Sequence, residues 1–206
     1  MKIFSICPNS YASNCYALIS GKEAFVVDPS VSVESICKAV AAEGADIVGI
    51  LLTHGHFDHI ISIDTFRQIM PVKVMIHEND AEMLTDGTKN AFFTFFGKNR
   101  IYSPADTLLK AGDTLTLNNE IINVIHTPGH SRGSVCYLCG DIMITGDTLF
   151  ANNIGRSDLW GGDEATLMRS LDLLSSYKRT IKIYPGHGPS ALLGNALDNV
   201  AYFRQF

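Results

Sequence analysis

Apolar positions along this chain follow two rhythms, short runs with a period near two and longer runs spaced three and four apart. Lys2–Cys7, Asn14–Ser20 and Ala24–Val27 are short runs divided by Pro8-Asn9-Ser10 and Gly21-Lys22, the pattern of strands joined by turns, so the chain is expected to open with antiparallel pairing that ends at Asp28-Pro29. Val33, Ile36, Cys37, Val40 and Ala41 then recur at helical spacing, with Ser32 as N-cap and Gly44 as stop, which predicts a helix over Val33–Glu43. The run Ile47–Leu52 is almost wholly apolar and partly β-branched, as a buried strand is. Ile61–Met70 reads as a helix, Val72–Ile76 as a strand and Asn79–Leu84 as a short helix.

The second half returns to strands. Asp113–Leu117, Ile121–His126, Ser134–Cys139 and Ile142–Thr145 are candidates, joined by turns at Asn118-Asn119, Pro128-Gly129 and Gly140-Asp141. A helix over Glu164–Tyr177, a strand over Ile181–Tyr184 and a last helix over Ala191–Phe203 follow. Two strand-rich halves, each with helices beside its strands, predict two packed sheets with helices outside. Between the halves, Ala91–Arg100 carries four phenylalanines in five positions followed by Lys98 and Arg100. An amphipathic segment covering the core is the expected reading, with a substrate-facing lid or a subunit contact as alternatives.

Composition narrows the class. The chain has 206 residues, of which 46% are hydrophobic, enough for one well-buried domain over its whole length. A formal net charge of −5 with no cluster of Lys and Arg argues against nucleic acid or an anionic membrane as partner. The N-terminus turns polar too soon for a signal peptide and no apolar run reaches spanning length, so a cytoplasmic location is expected. Cys7, Cys15, Cys37, Cys136 and Cys139 are odd in number and irregular in spacing, which suits reduced thiols. Cys136 and Cys139 form a C-x-x-C, but on a strand, where positions three apart face opposite ways; packing is expected of them rather than redox or metal chemistry.

The chemistry concentrates in Thr53-His54-Gly55-His56-Phe57-Asp58-His59, directly after the buried strand. Were the chain extended through His54 and His56, both rings would lie on one side, with Asp58 and His59 beyond a turn. His130 and His187 each follow a strand on a Pro-Gly turn, and Asp147 follows a strand and Gly146. Four strand ends are thus tipped with ligand-type side chains. His77 and His126 lack such a setting and are read as structural.

This set resembles the metallo-β-lactamase superfamily of hydrolases, whose H-x-H-x-D-H signature is matched by His54, His56, Asp58 and His59, followed in order by His130, Asp147 and His187. The resemblance implies an α+β fold, a four-layer αββα sandwich with the metals at one edge. It also implies one metal held by His54, His56 and His130, a second by Asp58, His59 and His187, and Asp147 bridging. Imidazole and carboxylate ligands without thiolate suit two divalent ions such as zinc, and equally admit iron or manganese. Such a pair lowers the pKa of a shared water toward neutrality and polarises a carbonyl, with Asp58 placed to orient that water.

Within the superfamily, Gly146-Asp147-Thr148-Leu149-Phe150 and Ile154-Gly155-Arg156-Ser157-Asp158-Leu159 resemble the glyoxalase II group, the hydroxyacylglutathione hydrolases, especially their short bacterial type. The implied substrate is a small-molecule thioester. Arg156 and Asp158 are expected to brace the Asp147 loop as an ion pair. Full-length glyoxalase II enzymes continue into a helical region with basic residues for the glutathione carboxylates, whereas here Arg204 is the single cation after His187, so grip on glutathione is expected to be weak. Persulfide dioxygenases resemble the same G-R-x-D segment but use one iron on the counterparts of His54, His130 and Asp147. Lactonase or β-lactamase activity and a non-hydrolytic metal-binding or redox module are the remaining alternatives.

Overall fold

A computed structural model of the chain describes residues 1–6 and 12–203. The expected turn at Pro8-Asn9-Ser10, Cys7 and Arg204 lie outside the described residues. Twelve strands form two six-stranded mixed sheets among the described residues. The first runs β1 (Lys2–Ile6), β2 (Cys15–Ser20), β3 (Glu23–Val27), β4 (Asp46–Leu51), β5 (Lys73–His77) and β6 (Thr107–Leu109), in that spatial order. Its opening three strands pair antiparallel, as the turns require, and β3 to β6 are parallel. The second sheet holds β7 (Thr114–Leu117), β8 (Glu120–His126), β9 (Val135–Cys139), β10 (Ile142–Gly146), β11 (Lys182–Pro185) and β12 (Ala191–Leu192).

Period-two alternation explains how the sheets stack. On β2, Ala17 and Ile19 face outward into the cluster shared with helices α1 (Val33–Ala42) and α2 (Ile63–Ile69), while Tyr16 and Leu18 face the other sheet. Leu51, Val27 and Met75 meet Val124, Val135, Tyr137 and Ile144 across that inner layer. Helices α5 (Glu164–Ser175) and α6 (Leu193–Phe203) close the far side over Ile125, Cys136, Met143 and Ile183. The result is helix, sheet, sheet, helix. Fully burying each such aliphatic side chain contributes about 1.5–3 kcal/mol, which holds the four layers in register. Cys136 faces the outer cluster and Cys139 the inner one, so the C-x-x-C is packing as expected.

Several boundaries differ from the sequence reading. α2 starts at Ile63 rather than Ile61, because the preceding turn is held by Ser62 N–H donating to Pro29 O. Ala191 and Leu192 extend the second sheet instead of opening the last helix, drawn into pairing by the edge of β11. β6 was not foreseen; three residues show no period, and its pairing beside β5 is the only force that extends it. Short helices α3 (Ala81–Thr85) and α4 (Phe92–Phe96) lie between β5 and β6, α3 preceded by a 3-10 turn over Glu78–Asp80. No residue of α4 is buried, so this segment does not cover the core as expected.

Candidate metal centre

β4 ends at Leu51, and the chain does not stay extended through His54 and His56. Three hydrogen bonds pull it off the strand path: Thr53 N–H donates to Asp28 Oδ1 at 2.8 Å, Thr53 O accepts from Val135 N–H at 2.9 Å, and Gly55 N–H donates to Asp80 Oδ2 at 3.1 Å. The loop therefore bends across the open edge between the sheets. His54 and His56 still come together, edge to face with ring centroids 4.8 Å apart, through the loop rather than through strand periodicity.

The other ligand-type residues arrive from the second sheet. β10 and β11 are parallel and end level, Gly146 opposite Pro185, and Gly186 N–H donates to Gly146 O at 2.7 Å. Asp147 and His187 thus leave the sheet side by side. A Cβ on Gly186 would stand 2.0 Å from Asp147 Oδ1 and 2.7 Å from His59 Cε1, so only glycine admits the carboxylate here. Asn14 fixes the same turn from the first sheet, its side-chain amide donating to Pro185 O and Gly188 O.

All seven residues singled out by the sequence converge. Nitrogen or oxygen atoms of His54, His56 and His130 lie within 4.8 Å of one another, as do those of Asp58, His59 and His187, and those of His54, His59 and Asp147. Asp147 sits between the two outer triads: its Oδ2 is 3.6 Å from His130 Nε2 and 3.5 Å from His187 Nε2, and its Oδ1 is 3.4 Å from His59 Nε2.

Partners behind the rings decide which nitrogen carries the proton. His130 Nδ1 donates to Arg156 O at 2.7 Å and His59 Nδ1 donates to Asp28 Oδ2 at 2.8 Å. The Thr53 hydroxyl donates to Asp28 Oδ2 at 2.6 Å, which leaves its oxygen to accept from His54 Nδ1 at 3.1 Å. These partners on Nδ1 turn the Nε2 of each ring inward, toward the other ligand-type atoms. His130 Nε2 faces His54 Nε2 at 3.1 Å and His56 Nδ1 at 2.9 Å. Lone pairs pressed together in this way repel unless a cation lies among them. His56 Nε2, His59 Nε2 and Asp147 Oδ1 are also buried without a hydrogen-bond partner. This donor set fits divalent metal.

Charge follows the same division. Burial and the surrounding imidazoles hold His54 well below its ordinary range, and burial with His130 brings His56 down to about 3. His59 moves the other way: burial opposes its charge, but the carboxylates of Asp147, Asp58 and Asp28 together raise it well above the ordinary value. Asp58 and Asp147 are pushed up by burial yet end below the usual carboxylate range, held there chiefly by His59. His54 and His56 thus offer neutral nitrogens, whereas Asp58 and Asp147 offer anionic oxygens.

Two buried carboxylates with structural weight here were not foreseen. Asp28 orients His59 directly and His54 through Thr53, from a left-handed backbone position at φ 51°. Asp80 accepts from Gly55 N–H, Ser131 Oγ and Gly133 N–H, tying the His54 loop to the His130 loop. Asp28 had only its place at a strand end as a signal, and Asp80 had none. The ion pair expected of Arg156 and Asp158 is present. It is bidentate, at 2.6 and 2.7 Å, but it is exposed and does not touch the Asp147 carboxylate; what supports the site is the Arg156 carbonyl on His130. His77 and His126 stay outside, stacked on each other at 4.1 Å.

Beside the cluster opens a cavity of about 470 Å³, walled by Phe57, Ile61, Phe95, Phe96 and Leu159, with His56, Asp58, His130, Asp147 and His187 at its floor. No serine or cysteine among the described residues lines it.

A sandwich of two mixed sheets carrying this edge cluster is the metallo-β-lactamase fold, and the chain belongs to that family: the profile described as Metallo-beta-lactamase superfamily matches residues 9–187. The chain is similar to the probable metallo-hydrolase YqgX of Bacillus subtilis, 36% identical over 181 residues that cover 86% of this chain and 85% of that one. It is also similar to the probable polyketide biosynthesis zinc-dependent hydrolase BaeB of Bacillus velezensis, 29% identical over 94% of this chain and 83% of that one. Among solved structures, the BLEG-1 B3 metallo-beta-lactamase superposes with a TM-score of 0.89 at 34% identity, covering 98% of this chain and 99% of that one. TTHA1623, solved in a di-iron-bound form, gives a TM-score of 0.81 at 28% identity, covering 98% of this chain and all of that one. The chain is accordingly a metal-dependent hydrolase of this superfamily. No helix among the described residues is long and apolar enough to cross a membrane.

Proposed function

We propose that this protein hydrolyses thioesters with a pair of divalent metal ions, one held by His54, His56 and His130 and the other by Asp58, His59 and His187, with Asp147 shared. The observation that carries the reading is the placing of Asp147 between two complete donor triads, beside a cavity lined by no serine or cysteine among the described residues. When bound, the metals supply an activated water and a Lewis acid for the carbonyl under attack. Zinc, iron and manganese all suit the donor set.

The chain's own residues do the rest. Asp58, ionised at neutral pH and 3.2 Å from His187 Nε2, is positioned to accept a hydrogen bond from the attacking water and hold it in line. Phe57, Phe95 and Phe96 give the carbonyl an apolar neighbour on one side of the cavity. The Gly155–Asp158 segment, similar to that of the glyoxalase II group, favours a thioester of the hydroxyacylglutathione type. Carrier selection is weak in this reading: Arg156 is already paired with Asp158, and Arg100 is turned onto Phe92 and Tyr102 while donating to Ile61 O. Neither Lys98 nor Arg100 lines the cavity, so no pair of free cations awaits the glutathione carboxylates there. The protein is proposed to act in the cytoplasm on small molecules.

β-Lactam hydrolysis is the second reading, favoured by the 34% identity to a B3 metallo-beta-lactamase. Metal analysis beside a panel of thioesters, a chromogenic cephalosporin and glutathione persulfide separates the cases. Two metals per chain and thioester turnover abolished by chelation are expected. Cephalosporin turnover without thioester turnover, or one iron with sulfite formation, would overturn the proposal.

A further inference from the structure

The cavity beside the metal centre is two-faced. Every ligand-type side chain in it lies on the floor, whereas Phe57, Ile61, Phe95, Phe96 and Leu159 form a wall with no charge. Its volume, about 470 Å³, falls within the roughly 300–1,000 Å³ usual for small-molecule sites. The one cation lining it, Arg156, has its Nε and one terminal nitrogen committed to Asp158, and its guanidinium lies over the Phe95 ring at 5.8 Å. Nothing in the wall offers a partner to a hydroxyl or a carboxylate.

The wall is also built to stay in place while remaining exposed. α4 is a single five-residue helix bracketed by left-handed residues, Ala91 at φ 67° and Gly97 at φ 63°. A left-handed alanine is strained, and it persists because its neighbour Asn90 is fully buried, its carbonyl accepting from Phe57 N–H at 3.0 Å and its side chain bonding both Phe92 N–H and Arg100 O. The aromatic helix is thereby tied to the loop that carries His56 and Asp58. Phe57 packs on Phe95 at 5.6 Å and on Phe96 at 5.4 Å, yet Phe95 and Phe96 remain 52% and 55% exposed. Aromatic surface held open at the mouth of a catalytic centre is left for a ligand to cover.

We propose that this wall is the acyl subsite, and that within the thioester class it replaces the short hydroxyacyl group suggested by the likeness of the Gly155–Asp158 segment with an unbranched or aromatic hydrocarbon acyl group. The inference rests on the thioester reading above. The carbonyl must meet the metal floor, so either the acyl group or the thiol carrier lies against the phenylalanines. Thiol carriers such as glutathione or pantetheine are rich in amides, which would lose hydrogen bonds to water against a hydrocarbon wall. An alkyl or phenyl chain loses none and gains burial, so the carrier points out through the open mouth.

The test uses the metal-loaded protein and acyl thioesters of N-acetylcysteamine, which lacks carboxylates: acetyl, lactoyl, butanoyl, hexanoyl and phenylacetyl. From acetyl to hexanoyl, kcat/KM is expected to rise about fourfold per methylene, the equivalent of about 0.8 kcal/mol per buried CH2. Lactoyl should fall below butanoyl. In Phe95→Ser/Phe96→Ser the slope with chain length should flatten, while Phe93→Ser, whose ring does not line the cavity, should keep it. Titration calorimetry with the free alkanoates gives a second readout, with affinity rising with length in the wild type and not in the double variant. Thioester turnover that is flat in chain length, or highest for lactoyl, overturns the subsite while leaving the thioester reading intact. Absence of turnover for every thioester overturns that reading and the subsite's occupant together.

Discussion

Asp28 offers the sharpest single perturbation, because one carboxylate orients a ring in each metal triad. Its Oδ1 takes the Thr53 N–H at 2.8 Å, and its Oδ2 takes both the Thr53 hydroxyl at 2.6 Å and His59 Nδ1–H at 2.8 Å. Asp28→Asn preserves the shape but replaces one oxygen by an amide donor. If the NH2 takes the Oδ2 place it faces two donors; if it takes the Oδ1 place it faces the Thr53 N–H. Either way a buried donor loses its acceptor, at about 1–3 kcal/mol. In the first case His59 can recover a hydrogen bond only by moving its proton to Nε2, the atom that faces Asp147 and that a metal needs. Loss of such an orienting partner typically weakens metal binding about 10–100-fold. Competition with a chromophoric chelator, followed over both metal equivalents, should show that weakening in the His59 triad and a smaller one in the His54 triad, which Asp28 reaches only through Thr53. Urea unfolding of the metal-free protein should show the stability loss. A folded Asp28→Asn that binds both metals as tightly as the wild type would refute this account of ring orientation.

Asp147→Asn should cost more turnover than Asp58→Asn, since Asp147 lies within reach of His59, His130 and His187 whereas Asp58 serves one triad; equal or reversed losses in kcat would remove Asp147 from the shared position. Gly186→Ala should lower metal content at unchanged fold, because its Cβ would stand 2.0 Å from Asp147 Oδ1, and a full metal complement by elemental analysis would contradict the close approach. His77, brought by burial and His126 down to about 4 from 6.5, stays neutral in the folded chain while its unfolded counterpart takes up a proton, so stability should fall as pH drops from about 6.5 to 4. His77→Asn keeps an acceptor for the Asn79 N–H and should shrink that acid slope in the urea midpoint of chelator-treated protein; an unchanged slope would assign it to other groups.

How much of this was legible without tertiary structure depends on whether the deciding force is local. The strands and helices marked by a continuous apolar run or a clear period formed close to where the sequence puts them, since burial acts within each segment: β2, β4, β8 and α5 are examples. The H-x-H-x-D-H run and the glycine turns before His130, Asp147 and His187 were also readable, because ligand-type residues on sharp turns after apolar strands are a pattern within a few residues. Pairing and packing decided the rest. β6 and β12 exist only because a neighbouring strand offers unpaired N–H and C=O groups. The path of the His54 loop is set by Asp28, Val135 and Asp80, three residues far apart in sequence, so strand periodicity gave the wrong local geometry for a right grouping. Arg156 looked like a side-chain brace and acts through its carbonyl, a role that residue identity does not encode. The phenylalanines of α4 were read as core cover because apolar residues usually pack, and only the fold shows that Phe95 and Phe96 line the cavity beside the metal centre, on a helix tied down by Asn90. Residue types alone pointed to metal-dependent hydrolysis, because ligand-type side chains on turns are a local pattern; distances between segments decided which groups orient the rings and which aromatic surface stands beside them.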